Sequence, residues 1–232
     1  MKTQLITFDL DGTLFDTAPE IALAVNRALE AHGLPPVSLD TVIGYIGNGT
    51  RELMRQVLAR HGFDAQITLD EMMPVFDAHY DATAGTTAKP YPGVPAALAR
   101  LRAAGMRMAV VTNKDHRFAQ RLIERAGFAP YFDVVLGGDS LPDKKPHPAP
   151  ILYCMERLDV PMAAAAHLGD SRTDVQSARR AGVAAWAVPY GYNHGEPIAQ
   201  AHPDRVFASI AEMADYVLPS SLNHMESELN TN

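Results

Sequence analysis

The sequence predicts an α/β protein with a doubly wound parallel sheet and a smaller helical unit inserted near its start. Short apolar runs rich in β-branched residues alternate with amphipathic stretches over most of the 232 residues. This alternation is typical of successive β-α-β units. Residues 17–82 break the pattern, because they contain helical periodicity and no convincing strand. The two observations together indicate a parallel sheet carrying a helical insert.

Five apolar runs predict the strands of the sheet. They are QLITF (4–8), MRMAVVTN (106–113), FDVVLGG (132–138), AAAHLGD (164–170) and AAWAVPY (184–190). Helical patterns lie between them, and several end at a glycine, as helices commonly do. Ligands of doubly wound sheets bind beyond the carboxyl ends of the strands. Four residues fall at or just after such ends and are the first candidates for a site: Asp9, Thr112, Gly138 and Asp170.

The helical insert follows the first strand and its turn. Residues 17–82 hold four helical patterns, and we expect them to form a cap domain over the strand ends. Residues 1–16 and 83–232 then form the α/β core, with GTTAKPYPG (85–93) as the second connection between the two units. The polar composition from about residue 220 to 232 predicts a disordered tail.

The charge and the cysteine content restrict the partners and the compartment. A net charge of −7 argues against general binding to nucleic acids or anionic membranes, but it allows one small phosphorylated substrate. The single cysteine, Cys154, excludes an intrachain disulfide and fits a reducing compartment. The first strand starts almost at once, which leaves no room for a signal peptide. We therefore expect a cytoplasmic protein, and a homodimer is left open.

Two aspartates stand two residues apart where the first strand ends, in FDLDGTLFD (8–16). Side chains at i and i+2 of a strand share a face, so Asp9 and Asp11 are expected to point the same way. Two close carboxylates raise each other's pKa unless a cation or a shared proton relieves them. The alternative is an Asx-type turn ending at Gly12, and this segment alone does not decide between the two.

Four short segments together point to one family. DLDGTLFD (9–16), VVTNK (110–114), KKPHP (144–148) and LGDSRTD (168–174) occur in this order. They resemble the four signatures of haloacid-dehalogenase-superfamily phosphatases, and the resemblance spans nearly the whole chain. Each string alone is weak evidence. All four at strand ends, with a helical cap between the first and the second, are specific.

The resemblance implies a covalent mechanism that depends on Mg²⁺. Asp9 is the expected nucleophile, since a carboxylate can form an aspartyl-phosphate. Asp11 is expected to protonate the leaving oxygen and later to deprotonate water. Lys145, which precedes the signature proline, is expected to neutralise the phosphoryl group. The implied Mg²⁺ ligands are Asp9, the backbone carbonyl of Asp11, and Asp170.

Four further residues are expected to support these groups. Thr112 and Asn113 end the second strand and are expected to bind phosphoryl oxygens, although Thr112 alone reads equally well as a helix cap. Asp174 is expected to orient a metal-bound water or Lys145. Ser171 lies beside it, and helix capping is its strongest alternative role.

The loop GYIGNGTREL (44–53) of the insert is expected to select the substrate. Gly47 and Asn48 offer a flexible backbone, and Arg51 is expected to hold a substrate carboxylate. The alternative is an interhelix turn with an exposed arginine. This loop, GGDSLPDKKPHPAPIL (137–152) and VPYGYNHGEP (188–197) are similar to segments of bacterial phosphoglycolate phosphatases. The similarity implies 2-phosphoglycolate as the substrate.

The remaining alternatives differ in what they require of the sequence. A phosphonate-cleaving relative needs a lysine in the cap, and residues 17–82 contain none. A dehalogenase has no use for a second acid, which argues against it because Asp11 is present. A phosphatase for nucleotides or sugar phosphates and a β-phosphoglucomutase-like mutase stay open. A catalytically silent binding module is disfavoured, because every expected acid and the lysine are present.

Overall fold

The computed structural model describes residues 2–64 and 66–218. In chain order, its strands are β1 (Leu5–Phe8), β2 (Phe15–Asp16), β3 (Lys89–Pro90), β4 (Arg107–Val111), β5 (Val134–Leu136), β6 (Ala165–Gly169), β7 (Ala184–Ala187) and β8 (Arg205–Val206). Its α-helices are α1 (Ala18–Ala31), α2 (Leu39–Ile43), α3 (Thr50–Arg60), α4 (Leu69–Thr83), α5 (Val94–Ala103), α6 (His116–Arg125), α7 (Ala149–Arg157), α8 (Arg172–Ala181) and α9 (Ile210–Val217). The tail predicted for residues 220–232 lies outside the described residues.

Six parallel strands form the main sheet in the order β5-β4-β1-β6-β7-β8. Five of them coincide with the predicted apolar runs, and the predicted fold class is confirmed. The chain runs from β1 outwards through β4 and β5, and then crosses to β6 on the other side of β1. The order therefore reverses around β1, and the crevice of such a sheet opens at this point.

The sheet is covered by helices on both faces. Ile6 and Phe8 of β1 belong to the apolar cluster that contains α5, α6 and α9. Leu5 belongs to the cluster on the opposite face, which contains α7 and α8. A central strand of a parallel sheet is buried on both faces and reads as a continuous apolar run, which explains why LITF was recognisable. Cys154 of α7 is fully buried, and burial raises the pKa of its thiol to about 12.

The helices α1–α4 follow one another between β2 and β3 and share a third apolar cluster. Helix α4 begins with a capping box, in which the Thr68 hydroxyl and the Glu71 carboxylate satisfy each other's backbone N–H groups. Phe118 of α6 and Tyr192, which follows β7, also pack into this cluster. These contacts place the four helices against the ends of the main strands. The division at residues 17–82 stays a prediction.

Two short features escaped the sequence analysis. Strands β2 and β3 pair antiparallel, Phe15 opposite Pro90 and Asp16 opposite Lys89, at the two connections to the helices α1–α4. Strand β8 adds the pair Arg205–Val206 to the edge of the main sheet. Segments of two residues are too short to show an apolar period, so no local pattern marks them. Within the described part of the chain, no helix is long and apolar enough to cross a membrane.

Candidate active site

Three neighbouring strands deliver the predicted residues to one place. Asp9 follows β1, Thr112 follows β4 and Asp170 follows β6. The ladder continues one residue beyond the strands, because the Asp9 N–H donates to the Leu168 carbonyl at 2.9 Å and the Thr112 N–H to the Leu136 carbonyl at 3.0 Å. All three side chains are buried. The carboxyl end of the sheet therefore holds the candidate site.

A buried lysine lies between two of the acids. Lys145 Nζ is 2.7 Å from Asp9 Oδ1 and 2.7 Å from Asp174 Oδ1. Burial opposes the charged form of Lys145, but Asp174 and Asp9 raise its pKa above the ordinary value. For Asp174, burial favours the neutral acid, but the charge of Lys145 outweighs it and holds the pKa of Asp174 well below its ordinary value. The ammonium group is thus held charged beside Asp9.

Asp170 adds a third carboxylate to the site, so the negative charges outnumber the single positive charge of Lys145. Carboxylate oxygens of Asp9, Asp170 and Asp174 lie within 4.8 Å of one another. Burial, together with the neighbouring acids, raises the pKa of Asp9 to about 6 and that of Asp170 well above its ordinary value. Three buried carboxylates facing the one ammonium of Lys145 fit a site for a divalent cation with oxygen ligands.

Asp170 is held in place by two donors and by the absence of a side chain nearby. Thr13 Oγ1 donates to Asp170 Oδ1 at 2.8 Å, and the Tyr192 N–H donates to Oδ2. Gly12 has φ +84°, and a Cβ there would lie 2.4 Å from Asp170 Oδ2. The turn after Asp11 therefore requires glycine both for its backbone and for the room that Asp170 occupies.

Asp11 pairs with a second buried lysine, Lys114. Lys114 Nζ is 3.0 Å from Asp11 Oδ1 and 3.2 Å from Oδ2. Asp9 and Asp11 nevertheless line the same cavity, as expected from their spacing. The arrangement gives the two aspartates different partners, Lys145 for Asp9 and Lys114 for Asp11. The role of the Asp11 backbone carbonyl as a metal ligand stays a prediction.

The cavity lies between the strand ends and the helical insert. The core contributes Asp9, Asp11, Thr112, Asn113 and Lys114, and the insert contributes Ile21, Ile46, Gly47, Gly49, Thr50 and Leu53. Asn113 Nδ2 donates to the Gly47 carbonyl at 2.9 Å and to the Lys145 carbonyl at 2.9 Å. Two carbonyl partners fix the orientation of the amide, so the Asn113 side chain connects the loop of the insert to the core.

The structure places Arg51 away from the cavity. Its guanidinium pairs with Asp70 on the exposed surface of the helical insert and does not line the cavity. Thr50 precedes it in α3 and does face the core, where its hydroxyl donates to Asp115 Oδ2 at 3.0 Å. Consecutive helical residues point about 100° apart, so Arg51 turns outwards when Thr50 turns inwards. Asn48 is also outside the cavity lining, and its carbonyl accepts from Lys144 Nζ at 2.8 Å.

Ser171 and Asp174 form the start of α8. The Ser171 N–H donates to Asp174 Oδ2 at 3.0 Å, and the Ser171 hydroxyl donates to the same oxygen. A Cβ at Gly169 would lie 2.1 Å from Asp174 Cγ, so the strand must end in glycine to admit this carboxylate. Helix capping and the support of Lys145 are therefore carried out by one side chain, Asp174.

Most of the chain matches a known protein family. Residues 6–188 match the family model of the haloacid dehalogenase-like hydrolases. The chain belongs to the haloacid dehalogenase-like hydrolase family. It is 39% identical over 223 residues to a phosphoglycolate phosphatase of Psychrobacter arcticus, covering 94% of this chain and 97% of that protein. It is 40% identical over 224 residues to a phosphoglycolate phosphatase of Vibrio vulnificus strain CMCP6, covering 95% and 98%.

A solved structure shows the same fold. The crystal structure of a predicted phosphoglycolate phosphatase from Haemophilus somnus 129pt superposes with a TM-score of 0.89 at 35% identity, covering 94% of this chain and 99% of that one. The haloacid dehalogenase-like fold and the class of phosphoric monoester hydrolase are thus confirmed for this chain. Coverage of nearly the whole chain includes the helices between β2 and β3.

Two buried residues of this hydrolase were missed by the sequence analysis. Lys114 ends the segment VVTNK and lines the cavity, but no local pattern distinguishes it from a surface lysine. His167 lies fully buried inside the apolar strand β6, with Nε2 3.1 Å from Asp174 Oδ1 and Nδ1 2.8 Å from Thr7 Oγ1. A lone polar residue within the run AAAHLGD was the available signal for His167.

Proposed function

We propose that this hydrolase is a Mg²⁺-dependent phosphatase that converts 2-phosphoglycolate to glycolate and phosphate in the cytoplasm. The observation that carries the proposal is the pairing of the two aspartates in one cavity. Asp9 lies 2.7 Å from Lys145, and Asp11 lies 3.0 Å from Lys114. The names of the relatives and their coverage of nearly the whole chain support the choice of substrate.

The first half of the reaction transfers the phosphoryl group to Asp9. A carboxylate oxygen of Asp9 attacks phosphorus, and the bond between phosphorus and the ester oxygen breaks. Asp11 gives its proton to the departing glycolate oxygen. Lys145 stays charged beside Asp9 and attracts the phosphoryl oxygens, which would otherwise be repelled by the acids of the site.

The second half releases phosphate. Asp11, now ionised, takes a proton from a water molecule, and the resulting oxygen attacks phosphorus of the aspartyl-phosphate. The bond to Asp9 breaks and its carboxylate is restored. Mg²⁺, held by Asp9, Asp170 and the backbone carbonyl of Asp11, would neutralise charge on the nucleophile and the phosphoryl group. The apolar side chains Ile21, Ile46 and Leu53 of the insert limit water at this position.

Thr112 and Asn113 take different parts in this scheme. The Thr112 hydroxyl accepts from the Lys114 N–H at 3.3 Å and keeps its own proton to donate to a phosphoryl oxygen. The Asn113 side chain is occupied by the carbonyls of Gly47 and Lys145, so its contribution to phosphate binding falls to its backbone N–H. Of the two side chains, the Thr112 hydroxyl is therefore the proposed donor to the phosphoryl oxygen.

The test is a comparison of phosphate release from several esters. Purified protein with Mg²⁺ should hydrolyse 2-phosphoglycolate with a higher kcat/KM than nucleoside monophosphates, glucose 6-phosphate or p-nitrophenyl phosphate. Incubation with glucose 1-phosphate, followed by chromatography, would detect conversion to glucose 6-phosphate by a mutase. A preference for a sugar or nucleotide ester would refute the substrate. Isomerisation without phosphate release would refute the reaction.

A further inference from the structure

Lys114 is a cation in the wall of the cavity for which the reaction scheme has no task. Its side chain is 2% exposed, and it lines the cavity together with Asp9, Asp11 and Thr112. Burying an ammonium group is costly unless anions and hydrogen-bond acceptors surround it. A buried lysine in the wall of a site for an anionic substrate therefore calls for a function beyond packing.

Lys114 is held from two sides. Asp11 of the core accepts at 3.0 and 3.2 Å, and the Tyr80 hydroxyl of α4 accepts from the same ammonium. The ammonium also lies 4.8 Å from the centre of the Tyr80 ring. The Tyr80 hydroxyl in turn donates to Glu20 Oε1 at 3.4 Å. Both the core and the helical insert thus fix the position of the charge.

The chemistry of 2-phosphoglycolate restricts where its carboxylate can lie. Asp11 must be within hydrogen-bond distance of the ester oxygen to protonate it. The carboxyl carbon of this substrate is only two bonds from that oxygen, about 2.4 Å away. The carboxylate must therefore lie within roughly 6 Å of Asp11. A cation that recognises it has to be a close neighbour of Asp11, and Lys114 is at 3.0 Å.

We propose that Lys114 recognises the carboxylate of the substrate and thereby determines specificity for 2-phosphoglycolate. The inference rests on the proposed function, because only a substrate with a carboxylate next to the ester oxygen makes use of this position. Arg51, the cation expected from the sequence, pairs with Asp70 at the surface instead. Lys114 takes over the task that the sequence analysis assigned to Arg51.

The experiment compares two substrates that differ at this one group. Ethyl phosphate carries a methyl group where 2-phosphoglycolate carries the carboxylate. Lys114→Met should lower the ratio of the two kcat/KM values, 2-phosphoglycolate over ethyl phosphate, by about 10- to 100-fold. Lys114→Arg keeps a charge and should lower the ratio less. Any effect of the lysine on Asp11 acts on both substrates and cancels in the ratio.

A binding measurement covers the case in which Lys114→Met is too slow to assay. In the Asp9→Asn background, calorimetry should show a 10- to 100-fold weaker affinity for 2-phosphoglycolate when Lys114→Met is added. The affinity for inorganic phosphate should change by less than about threefold if it relies on Lys145 and Thr112. Circular dichroism and a thermal melt verify that each variant is folded.

Three outcomes would overturn the proposal. Equal losses with both substrates, or with 2-phosphoglycolate and inorganic phosphate, would show that Lys114 supports Asp11 or the cap alone. If Arg51→Met lost the preference for 2-phosphoglycolate over ethyl phosphate and Lys114→Met kept it, Arg51 would be the residue that binds the substrate carboxylate. A wild-type protein that does not prefer 2-phosphoglycolate over ethyl phosphate would refute the proposed substrate itself, which is distinct from the first two results.

Discussion

Asp174 accepts two hydrogen bonds on each carboxylate oxygen. Lys145 Nζ and His167 Nε2 donate to Oδ1, at 2.7 and 3.1 Å, and the Ser171 N–H and hydroxyl donate to Oδ2. A carboxylate whose oxygens are saturated in this way is held rigidly. It can therefore fix the direction in which Lys145 points. At the residue scale, the site depends on a chain of contacts from Thr7 through His167 and Asp174 to Lys145.

The nucleophile can be tested by a change that preserves shape. Asp9→Asn should reduce the rate by on the order of 10⁴-fold or more, because an amide does not form an aspartyl-phosphate. The fold should be retained, since the side chains have nearly the same size. Rates are measured on freshly purified protein that mass spectrometry shows to be free of deamidation. Asp40→Asn, at an exposed position of α2, is the control and should keep the full rate.

His167 is expected to act through Asp174. Burial lowers the pKa of His167, so the ring is neutral, with the proton on Nε2 facing the Asp174 carboxylate and Nδ1 accepting from Thr7. His167→Leu removes the donor and should lower kcat by about tenfold. His167→Gln can still donate and should recover part of the loss. Nitrogen chemical shifts of the wild-type ring test the tautomer, and equal kcat values in both variants would contradict the role.

At the element scale, one buried carboxylate joins the start of α1 to the second connection of the insert. Glu20 Oε2 accepts from the Gly85 N–H at 2.9 Å and from the Ala88 N–H at 3.2 Å. Burial raises the pKa of Glu20, and Lys114 and the two backbone donors offset only part of this rise. Its place in the first turn of α1 also favours a negative charge. Glu20 thus helps to set the position of the insert relative to the sheet.

The contacts of Glu20 predict how its substitution changes the free energy of unfolding. Glu20→Leu should reduce the free energy of unfolding by about 1–3 kcal/mol, because two half-buried backbone N–H groups lose their acceptor. Glu20→Gln keeps an acceptor oxygen and should cost less. Urea denaturation followed by circular dichroism measures both. The control is Glu30→Leu on the exposed side of the same helix, which should change stability by less than about 0.5 kcal/mol. Equal losses at Glu20 and Glu30 would contradict the assignment.

At the scale of the whole molecule, charge is concentrated where the strands end. The chain carries a net charge of −7, and oxygens of three buried carboxylates lie within 4.8 Å of one another at the carboxyl ends of the central strands. Such a cluster strains the folded protein unless cations offset it. Lys145 supplies one positive charge from the core. A divalent cation is expected to supply the rest, and its binding should be coupled to the stability of the fold.

Metal binding should therefore raise the melting temperature. Addition of Mg²⁺ at pH 7.5 should stabilise the wild type and restore activity lost in chelator. Asp170→Asn should abolish the specific shift, whereas Asp40→Asn should retain it. An equal shift in Asp170→Asn would indicate a general ionic effect and contradict the assigned site.

The affinity for Mg²⁺ should also depend on pH. A proton on Asp9 competes with the metal, and the pKa of Asp9 is raised to about 6 in the metal-free protein. Asp170, the second expected carboxylate ligand, also has a raised pKa, so its proton competes as well. The apparent affinity should therefore rise as the pH increases from 5 towards 7, by up to about tenfold per unit for each competing proton. Calorimetry at several pH values measures it. An affinity that is constant between pH 5 and 7 would contradict the prediction.

The sequence by itself determined the fold class and the acids at the strand ends. Apolar runs and helical periods are local properties, so the strands β1, β4, β5, β6 and β7 were recognisable one at a time. Three motifs at strand ends, and KKPHP in the connection between β5 and α7, were enough to single out Asp9, Asp11, Lys145 and Asp170. Strands β2, β3 and β8 were missed because two residues show no period.

Only the tertiary structure decided which charges meet. Lys114 lies 103 residues from Asp11, and Lys145 lies 136 residues from Asp9, so no local pattern encodes either pair. Arg51 turned out to face the surface because the inward position of α3 is taken by Thr50. The direction of a side chain depends on how a helix is rotated against its neighbours, and packing of the whole fold sets that rotation.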